Sequence, residues 1–190
     1  KLPEESIILG WQGYGKAALK AAEQGHRFIM APARISYLIR YQGPQWFEPV
    51  TYFGNNTLKG LFTYEPVQED WKPEYESLLM GVQACMWTEF CNTPEDVFYL
   101  TFPRIAALAE IAWVPKGKRE WGAFLRGLDN YNEHLSGKGI GYARSMYNIQ
   151  HKIVADEAGK LHVQLVCERP DMEIYYTLDG TEPTATSFLY

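Results

Sequence analysis

Residues 6–32, SIILGWQGYGKAALKAAEQGHRFIMAP, contain the pattern that decides the fold. Two short apolar runs, Ser6–Trp11 and Arg27–Pro32, predict buried strands. Between them, Lys16–Gln24 is rich in alanine and places apolar residues at helical spacing, and Gly25 follows as a C-terminal stop. A strand, a helix and a strand in so short a stretch form a βαβ unit, which predicts parallel strands with the helix packed against the sheet.

A third buried strand and two helical segments follow further along the chain. The apolar run Gly81–Trp87 predicts the strand, and Pro94–Trp113 has helical spacing with proline at the favoured first position. Pro103 lies inside this helical pattern, so we expect it to kink or divide the helix. Arg119–Leu135 predicts another amphipathic helix, and the chain up to residue 149 is therefore of the α/β class.

The pattern changes in the C-terminal part of the chain. Lys160–Cys167 alternates apolar and polar residues, Glu173–Thr177 is typical of a strand, and Asp179-Gly180 indicates a hairpin turn. We therefore predict two domains. Residues 1–149 form the α/β part, and residues 150–190 form the beginning of an all-β domain.

The composition is that of an ordinary globular protein and argues against a nucleic-acid-binding protein or a membrane protein. The chain has 190 residues, of which 46% are hydrophobic and 22% are charged. A net charge of −5 without a basic stripe argues against nucleic-acid binding. No stretch is long and apolar enough for a transmembrane helix, so we predict no membrane insertion. Aromatic residues make up 15% of the chain, an excess that suits carbohydrate or peptide recognition.

The cysteines and histidines show no spacing typical of a metal site. They are Cys85, Cys91 and Cys167, and His26, His134, His151 and His162. We therefore predict no metal and no cofactor. Cys85 lies in the third apolar run, so we expect it to be a small buried hydrophobic residue.

Aromatic and charged residues follow each predicted strand of the α/β part. They are Trp11 after the first strand, Tyr37 and Arg40 after the second, and Trp87 and Glu89 after the third. Because the carboxyl ends of parallel strands share one edge, we expect these side chains to converge. Indoles can cover the C–H face of a sugar, while a phenol and a carboxylate bind its polar groups, so the pattern predicts a pocket for an acetamido sugar. The alternative for each aromatic side chain is packing in the core.

Several motifs of the chain resemble those of the family 20 glycoside hydrolases, the β-N-acetylhexosaminidases. They are QACMWTE at 83–89, FPRIAALAEIAW at 102–113, LGW at 9–11, and GHRFIMAP at 25–32 with Tyr37-Leu38. The tail EIYYTLDGTEPT at 173–184 is similar to the small β-sandwich that often follows the catalytic domain of bacterial members. The resemblance covers nearly the whole chain.

This resemblance implies a (β/α)8 TIM barrel, of which the chain holds about the last three β/α units, followed by part of the β-sandwich. Enzymes of the family remove terminal N-acetylglucosamine or N-acetylgalactosamine from glycans with retention, and the acetamido oxygen of the substrate is the nucleophile. An Asp-Glu pair orients the acetamide and protonates the leaving oxygen, and it lies on an earlier strand. We therefore expect no catalytic residue in this chain, no activity of the chain alone, and a solvated turn at Asp156-Glu157. The family also suggests a periplasmic or secreted protein.

The resemblance further implies roles in substrate binding for the residues that follow the strands. Trp11 and Trp87 would form the walls of the acetamido pocket. Tyr37 would hydrogen-bond the acetamide, and Glu89 would accept a hydrogen bond from a distal hydroxyl of the sugar.

The chain departs from the family pattern two places after Tyr37. An acidic residue is common there, whereas this chain has Ile39, followed by Arg40. Replacing a carboxylate by a cation should weaken a contact with a neutral hydroxyl and favour an anionic substituent, such as a 6-sulfate on N-acetylglucosamine. The alternative is that Arg40 pairs with a nearby loop carboxylate.

Two other functions remain open from the sequence. The aromatic residues can also belong to a non-catalytic carbohydrate-binding module, or the chain can be a scaffolding piece whose terminal β-unit docks on neighbouring domains. An Asp-Glu pair on a strand preceding residue 1 would favour the enzyme. Because a partial barrel exposes a strand edge and an apolar inner face, we expect the isolated chain to form homo-oligomers or to repack.

Overall fold

The computed structural model describes residues 2–69 and 71–190. The chain divides into two units, residues 1–143 and residues 144–190. In chain order, the strands and helices of the first unit are β1 (Ile8–Gly10), α1 (Ala17–Glu23), β2 (Phe28–Met30), β3 (Arg40–Tyr41), β4 (Tyr52–Asn55), α2 (Leu58–Phe62), α3 (Pro73–Glu76), β5 (Leu79–Val82), α4 (Pro94–Thr101), α5 (Arg104–Trp113) and α6 (Trp121–Gly137). Short 3-10 turns lie at Gln45–Phe47 and Lys116–Lys118.

The βαβ unit predicted from residues 6–32 is present. Strands β1, β2 and β5 form a three-stranded parallel sheet in that order. The first two strands have only three residues each, fewer than predicted, because Gly15 turns the chain after β1 and Pro32 follows β2. Gly15 has a φ of +79°, and a Cβ added to it would lie 2.7 Å from Met30 Cε. Glycine meets both requirements of this turn.

The core of this sheet consists of α1 packed on β2. Its buried residues are Ala18, Ala21 and Ala22 from the helix and Phe28 and Met30 from the strand. The small alanine side chains let the helix approach closely, since a Cβ added to Gly10 in β1 would lie 2.7 Å from the Cβ of Ala18. The alanine-rich pattern of the sequence therefore sets the spacing between helix and sheet.

The third strand is shorter than the predicted run Gly81–Trp87. Strand β5 ends at Val82, because Pro32 has no N–H with which to continue the ladder beyond β2. The chain after β5 pairs instead with the loop that follows β2, through an isolated parallel bridge between Tyr37 and Cys85. This change of partner places the segment that contains Tyr37 beside the segment that leads to Trp87.

A second parallel sheet lies in the segment between β2 and β5. It consists of β3 and β4, with Arg40 opposite Tyr52. Thr51 precedes β4 and its hydroxyl donates to the carbonyl of Ile39 at 2.5 Å. Because β3 follows the Tyr37 bridge directly, this small sheet begins at the carboxyl edge of the main sheet.

The helical pattern over residues 94–113 is divided at Pro103 into α4 and α5, as predicted. Thr93 begins α4 with a capping box. Its hydroxyl accepts a hydrogen bond from Asp96 N–H at 3.3 Å, and the Asp96 carboxylate accepts one from Thr93 N–H at 2.9 Å. The pKa of Asp96 is lowered because the backbone N–H groups of Asn92 and Thr93 bind its charged form.

Helix α6 begins and ends slightly later than the predicted range Arg119–Leu135. Arg119 lies before the helix, where its Nη1 donates to the carbonyls of Phe62 and Tyr64 at 3.3 and 3.0 Å and its Nη2 pairs with Glu65. The buried side of α6 consists of Phe124, Leu125, Leu128, Asn132 and Leu135. Neither α6 nor any other helix in the described residues is both long and apolar enough to cross a membrane.

Residues 144–190 form a β-rich unit that begins with a 3-10 turn at Ser145–Tyr147. Strand β6 (Gln150–Ala155) pairs antiparallel with β7 (Leu161–Val166), and β8 (Tyr175–Tyr176) pairs antiparallel with β9 (Phe188–Leu189). Strands β7 and β8 lie within the two predicted strands, whereas β6 is not evident from the sequence pattern. Asp179-Gly180 forms a bend in the segment that joins β8 to its antiparallel partner β9, as a hairpin turn would, but the connection is longer than a two-residue turn because β9 begins only at Phe188.

Candidate functional site

One hollow lies at the carboxyl ends of β1, β2 and β5. It has a volume of about 710 Å³, and its lining includes the five residues singled out in the sequence: Trp11, Tyr37, Arg40, Trp87 and Glu89. The other lining residues are Leu9, Ala33, Ile39, Tyr52, Gln83 and Cys85. Because the three strands are parallel, the chain after each of them passes the same edge of the sheet. The five residues therefore meet as expected, and their role in binding a substrate stays a prediction.

Both indoles are open to the hollow rather than packed in the core. Trp11 is 53% exposed and Trp87 is 50% exposed, unlike a core side chain. The Trp11 backbone is fixed, because its carbonyl accepts a hydrogen bond from Ala33 N–H at 2.7 Å. The rings of Tyr37 and Trp87 lie 6.2 Å apart at 44°. Together they provide an aromatic wall with an accessible apolar face.

The Tyr37 hydroxyl is held protonated at the wall of the hollow. Burial raises its pKa, and the Cys85 thiol beside it raises the pKa further, while a hydrogen bond from Trp87 acts in the opposite direction. At neutral pH this hydroxyl is therefore a hydrogen-bond donor. Cys85 is only half-buried and lines the hollow. The expectation that Cys85 is a small buried hydrophobic residue is thus wrong, because strand β5 has already ended before this position.

Glu89 lies exposed on the rim of the hollow. An ionised carboxylate in this position accepts hydrogen bonds from hydroxyl groups of a ligand. The thiol of Cys91 has a raised pKa, first because of burial and then because of the charges of Asp96 and Glu89. Cys91 is therefore a neutral thiol at neutral pH, and Glu89 is the one carboxylic acid among the residues that line the hollow.

Arg40 is buried to 6% exposure, although its side chain lines the hollow. Its Nε donates to Ala33 O at 2.9 Å and its Nη1 donates to Phe53 O at 2.5 Å. The guanidinium carbon lies 5.4 Å from the ring centre of Tyr52 and 5.2 Å from that of Phe53. These carbonyls and rings fix the direction of the guanidinium.

No carboxylate in the described part of the chain neutralises the charge of Arg40. Among residues 2–69 and 71–190, no aspartate or glutamate forms an ion pair with it, so the alternative of a loop carboxylate partner finds no support there. The pKa of Arg40 is lowered by burial first and by the nearby charge of Arg34 second. The hollow thus contains a fixed cation on one side and the carboxylate of Glu89 at its rim.

Two polar lining residues were missed in the sequence. Tyr52 begins β4, and Gln83 follows β5 directly. The cluster of aromatic residues between positions 46 and 53 was a sequence signal for Tyr52. Its position beside Arg40, however, depends on the pairing of β3 with β4. Gln83 belongs to the same motif as Trp87, and its position after a parallel strand is the signal that would have found it.

Arg104 is the other residue that sequence reasoning missed. It begins α5, is fully buried, and donates to four backbone carbonyls. Burial lowers its pKa to about 9, so the guanidinium is charged at neutral pH. An arginine at the start of a largely apolar helix was the available signal.

Asp156-Glu157 lies in the second unit, in the turn between β6 and β7. Oδ1 of Asp156 accepts hydrogen bonds from Ala158 N–H and Lys160 N–H at 3.0 and 2.9 Å, and Oδ2 lies 2.9 Å from His162 Nε2. The hydrogen bond with His162 lowers the pKa of Asp156 most, followed by that from Lys160. These contacts are those of an exposed polar turn. Within the described part of the chain, no group of three or more His, Cys, Asp or Glu side chains is placed to hold a metal ion.

A parallel α/β sheet with aromatic and charged side chains at its carboxyl edge is an arrangement in which α/β proteins bind small ligands. Comparison with known families identifies two matches. The glycosyl hydrolase family 20 catalytic domain matches residues 1–116, and the chitobiase/beta-hexosaminidase C-terminal domain matches residues 157–190. The chain therefore belongs to glycosyl hydrolase family 20.

Individual relatives agree with this assignment. A beta-hexosaminidase of Porphyromonas gingivalis is 32% identical over 100% of this chain and 24% of its own length. The structure of a GH20 exo-β-N-acetylglucosaminidase from Vibrio harveyi in complex with N-acetylglucosamine aligns with a TM-score of 0.63 and 28% identity, over 76% of this chain and 23% of that one. A GH20 β-N-acetylhexosaminidase from Streptomyces coelicolor aligns with a TM-score of 0.64 and 25% identity, over 76% and 30% of the two chains. The chain thus spans about a quarter of the length of these relatives.

Proposed function

We propose that the protein is a retaining β-N-acetylhexosaminidase that removes terminal N-acetylglucosamine or N-acetylgalactosamine from glycans. Residues 1–149 would supply the C-terminal part of a (β/α)8 barrel, and residues 150–190 would begin a small β-sandwich. The observation that carries the proposal is that Trp11, Tyr37, Trp87 and Glu89 line one common hollow. The family membership and the hexosaminidase relatives support the same class of reaction.

The size and chemistry of the hollow suit one acetamido sugar. Its volume of about 710 Å³ lies within the range of ligand pockets. The exposed indoles can cover the C–H face of the pyranose and the acetamide methyl. The protonated Tyr37 hydroxyl can donate to the acetamide oxygen, and Glu89 can accept from a hydroxyl at the far side of the sugar.

The proposed contribution of these residues is to bind and orient. In substrate-assisted hydrolysis the acetamide oxygen attacks the anomeric carbon. A hydrogen bond from Tyr37 that holds this oxygen in line lowers the entropic cost of reaching the reactive geometry. The acid that protonates the leaving oxygen would come from an Asp-Glu pair outside residues 1–190. The chain alone is therefore proposed to bind the sugar but not to cleave it.

A comparison of the protein at the length of its relatives with residues 1–190 tests the proposal. We expect the longer protein to hydrolyse an aryl β-N-acetylglucosaminide. Trp87→Ala should reduce kcat/KM at least about 30-fold, because truncation of an aromatic binding residue costs roughly 2 kcal/mol or more. Trp113→Ala, a change at an exposed tryptophan outside the hollow, is the matched control. Binding of N-acetylglucosamine without hydrolysis by the longer protein would favour the non-catalytic carbohydrate-binding module instead.

A finer part of the proposal concerns an anionic substituent on the sugar. Arg40 is fixed at the hollow and has no carboxylate partner among the described residues. Ile39, in the position where an acidic residue is common, cannot accept a hydrogen bond from a sugar hydroxyl. We therefore propose that the enzyme accepts 6-O-sulfated N-acetylglucosamine.

The ratio of kcat/KM for sulfated and neutral aryl glycosides tests this part separately. Arg40→Ala should lower the ratio about 10- to 150-fold, the range expected for loss of charge-assisted hydrogen bonds of 1.5–3 kcal/mol. Arg27→Ala, which removes an exposed arginine before β2, is the control and should leave the ratio unchanged. An unchanged ratio in Arg40→Ala would refute the sulfate contact without affecting the proposed hydrolysis of neutral substrates.

A further inference from the structure

The backbone that contains Tyr37 and Arg40 is fixed at every carbonyl between residues 36 and 40. The donors are Cys85 N–H to Ser36 O at 3.0 Å, Asn56 Nδ2 to Tyr37 O at 3.0 Å, Arg104 Nη2 to Leu38 O, Thr51 Oγ1 to Ile39 O at 2.5 Å, and Arg104 Nη1 to Arg40 O at 3.1 Å. Four separate parts of the first unit therefore hold one five-residue segment. Such a segment presents its side chains in a defined direction before a ligand arrives.

Arg104 makes the largest contribution to this network. Besides Leu38 and Arg40, its guanidinium donates to Asn56 O at 2.9 Å and to Leu100 O at 2.5 Å. Asn56 in turn donates from its side chain to Tyr37 O. One planar group thus connects α4 and α5 with β3 and the end of β4. A lysine ammonium, with a single compact charge and three donors, cannot span these carbonyls in the same way.

Arg104 does not contact the hollow itself. Its side chain is fully buried, at 0% exposure, and it is absent from the lining. Any effect of Arg104 on a ligand must therefore pass through the backbone of residues 38–40. In this respect Arg104 differs from Trp87 and Glu89, which line the hollow and can contact a ligand directly.

We infer that Arg104 is a positioning residue for the sugar-binding hollow, which orients Tyr37 and Arg40 by fixing the carbonyls of Leu38, Arg40 and Asn56. The inference deepens the proposed function and rests on it for its consequence in catalysis. Its structural part, the immobilisation of residues 36–40, does not depend on any ligand.

Hydrogen exchange in the full-length protein tests the structural part. Arg104→Lys should accelerate exchange of the Leu38 and Tyr52 amides, which donate to Cys85 O and Ile39 O, by about 10-fold or more, the effect of losing roughly 1.4 kcal/mol of local stability. Arg119→Lys is the matched control, because Arg119 is also buried and also donates to two backbone carbonyls, but away from the hollow. Equal protection of these amides in wild type and Arg104→Lys would overturn the inference, and so would equal acceleration in Arg119→Lys.

Kinetics test the consequence for the ligand. Arg104→Lys should lower kcat/KM for an aryl β-N-acetylglucosaminide about 2- to 12-fold, as Tyr37→Phe should, because each change costs one hydrogen bond of 0.5–1.5 kcal/mol that orients the sugar. In the double variant the two effects should not add, since both act through the Tyr37 hydroxyl. Full additivity, or an equal fall of kcat/KM in Arg119→Lys, would show a merely structural role and overturn the inference.

Failure of the proposed function and failure of the positioning role can be told apart. If the wild-type protein hydrolyses no hexosaminide, the proposed function fails, while the exchange experiment still decides the positioning role. If Arg104→Lys does not fold, Asn56→Ala removes only the hydrogen bond to Tyr37 O from the same network and should accelerate exchange of the Leu38 amide in the same direction. Unchanged exchange in Asn56→Ala would then overturn the inference.

Discussion

Gly54 offers a way to move Arg40 without replacing it. Gly54 has a φ of +90°, and a Cβ added to it would lie 2.5 Å from Arg40 Nη1. Arg40 is a flexible residue in general, but here its Nε is bonded to Ala33 O and its Nη1 to Phe53 O. The guanidinium therefore has to give up the contact with Phe53 to make room for a methyl group.

Two costs set the expected magnitude for Gly54→Ala. The left-handed backbone conformation costs a residue with a Cβ about 1–2 kcal/mol. Loss of the charge-assisted hydrogen bond to Phe53 O costs about 1.5–3 kcal/mol more. We therefore expect the free energy of unfolding to fall by about 2.5–5 kcal/mol, and the displaced Arg40 to lower the preference for the sulfated glycoside toward that of Arg40→Ala.

Gly13→Ala is the matched control for this experiment. Gly13 also has a positive φ, +58°, but nothing lies within 4 Å of an added Cβ. It should lose only the conformational part, about 1–2 kcal/mol. Urea denaturation at constant m-value measures both variants in the full-length protein. An equal fall in the free energy of unfolding in Gly54→Ala and Gly13→Ala would refute the reasoning. It would show that the Arg40 guanidinium moves away from the added methyl group without loss of stability.

Three further outcomes follow from the packing and capping of the first unit. Thr93→Ala should lower the free energy of unfolding by about 1 kcal/mol, because α4 loses the hydroxyl of its capping box, and Thr93→Ser should restore most of it in the same urea titration. Because the folded pKa of Asp96 is lowered, its contribution to stability is fully present above its unfolded pKa and is lost as pH falls through the folded value. A pH titration of unfolding should therefore flatten in Asp96→Asn, and an unaltered slope at acid pH would contradict the capping role. Phe28→Ala, at a fully buried position in the core with the alanines of α1, should cost about 3–5 kcal/mol, whereas Phe47→Ala at an exposed position should cost far less.

The parts of the fold that follow from local patterns could be predicted from the sequence. The βαβ unit depends on two apolar runs, an alanine-rich helix and glycines at the turns, all within residues 6–32. The division of the helix at Pro103 depends on one residue whose effect on a helix is local. In contrast, the strand end at Val82 depends on Pro32, which lies far away in sequence and matters only once the two strands are paired.

Strand β6 shows a different limit. It belongs to a two-stranded sheet, and five of its six residues are exposed, so neither face of the strand is buried. Its sequence, Gln150–Ala155, lacks the alternation that identifies a half-buried strand, whereas its partner β7 has the same exposure pattern but alternates. The length of the connection around Asp179-Gly180 could not be predicted either, because turn chemistry fixes a local bend but not the position of the strand that returns to pair.

The candidate site was partly predictable because its geometry follows from a rule about parallel strands. Trp11, Tyr37 and Trp87 each come after a strand, so the topology alone brings them to one edge. The groups that hold them in place were not predictable in the same way. Arg104 and Thr51 act on backbone carbonyls, which every residue possesses, and no side chain in the sequence marks which carbonyl is the partner. The residues that a ligand would touch can thus be proposed from the sequence, whereas the residues that orient them become visible only through the hydrogen bonds of the folded chain.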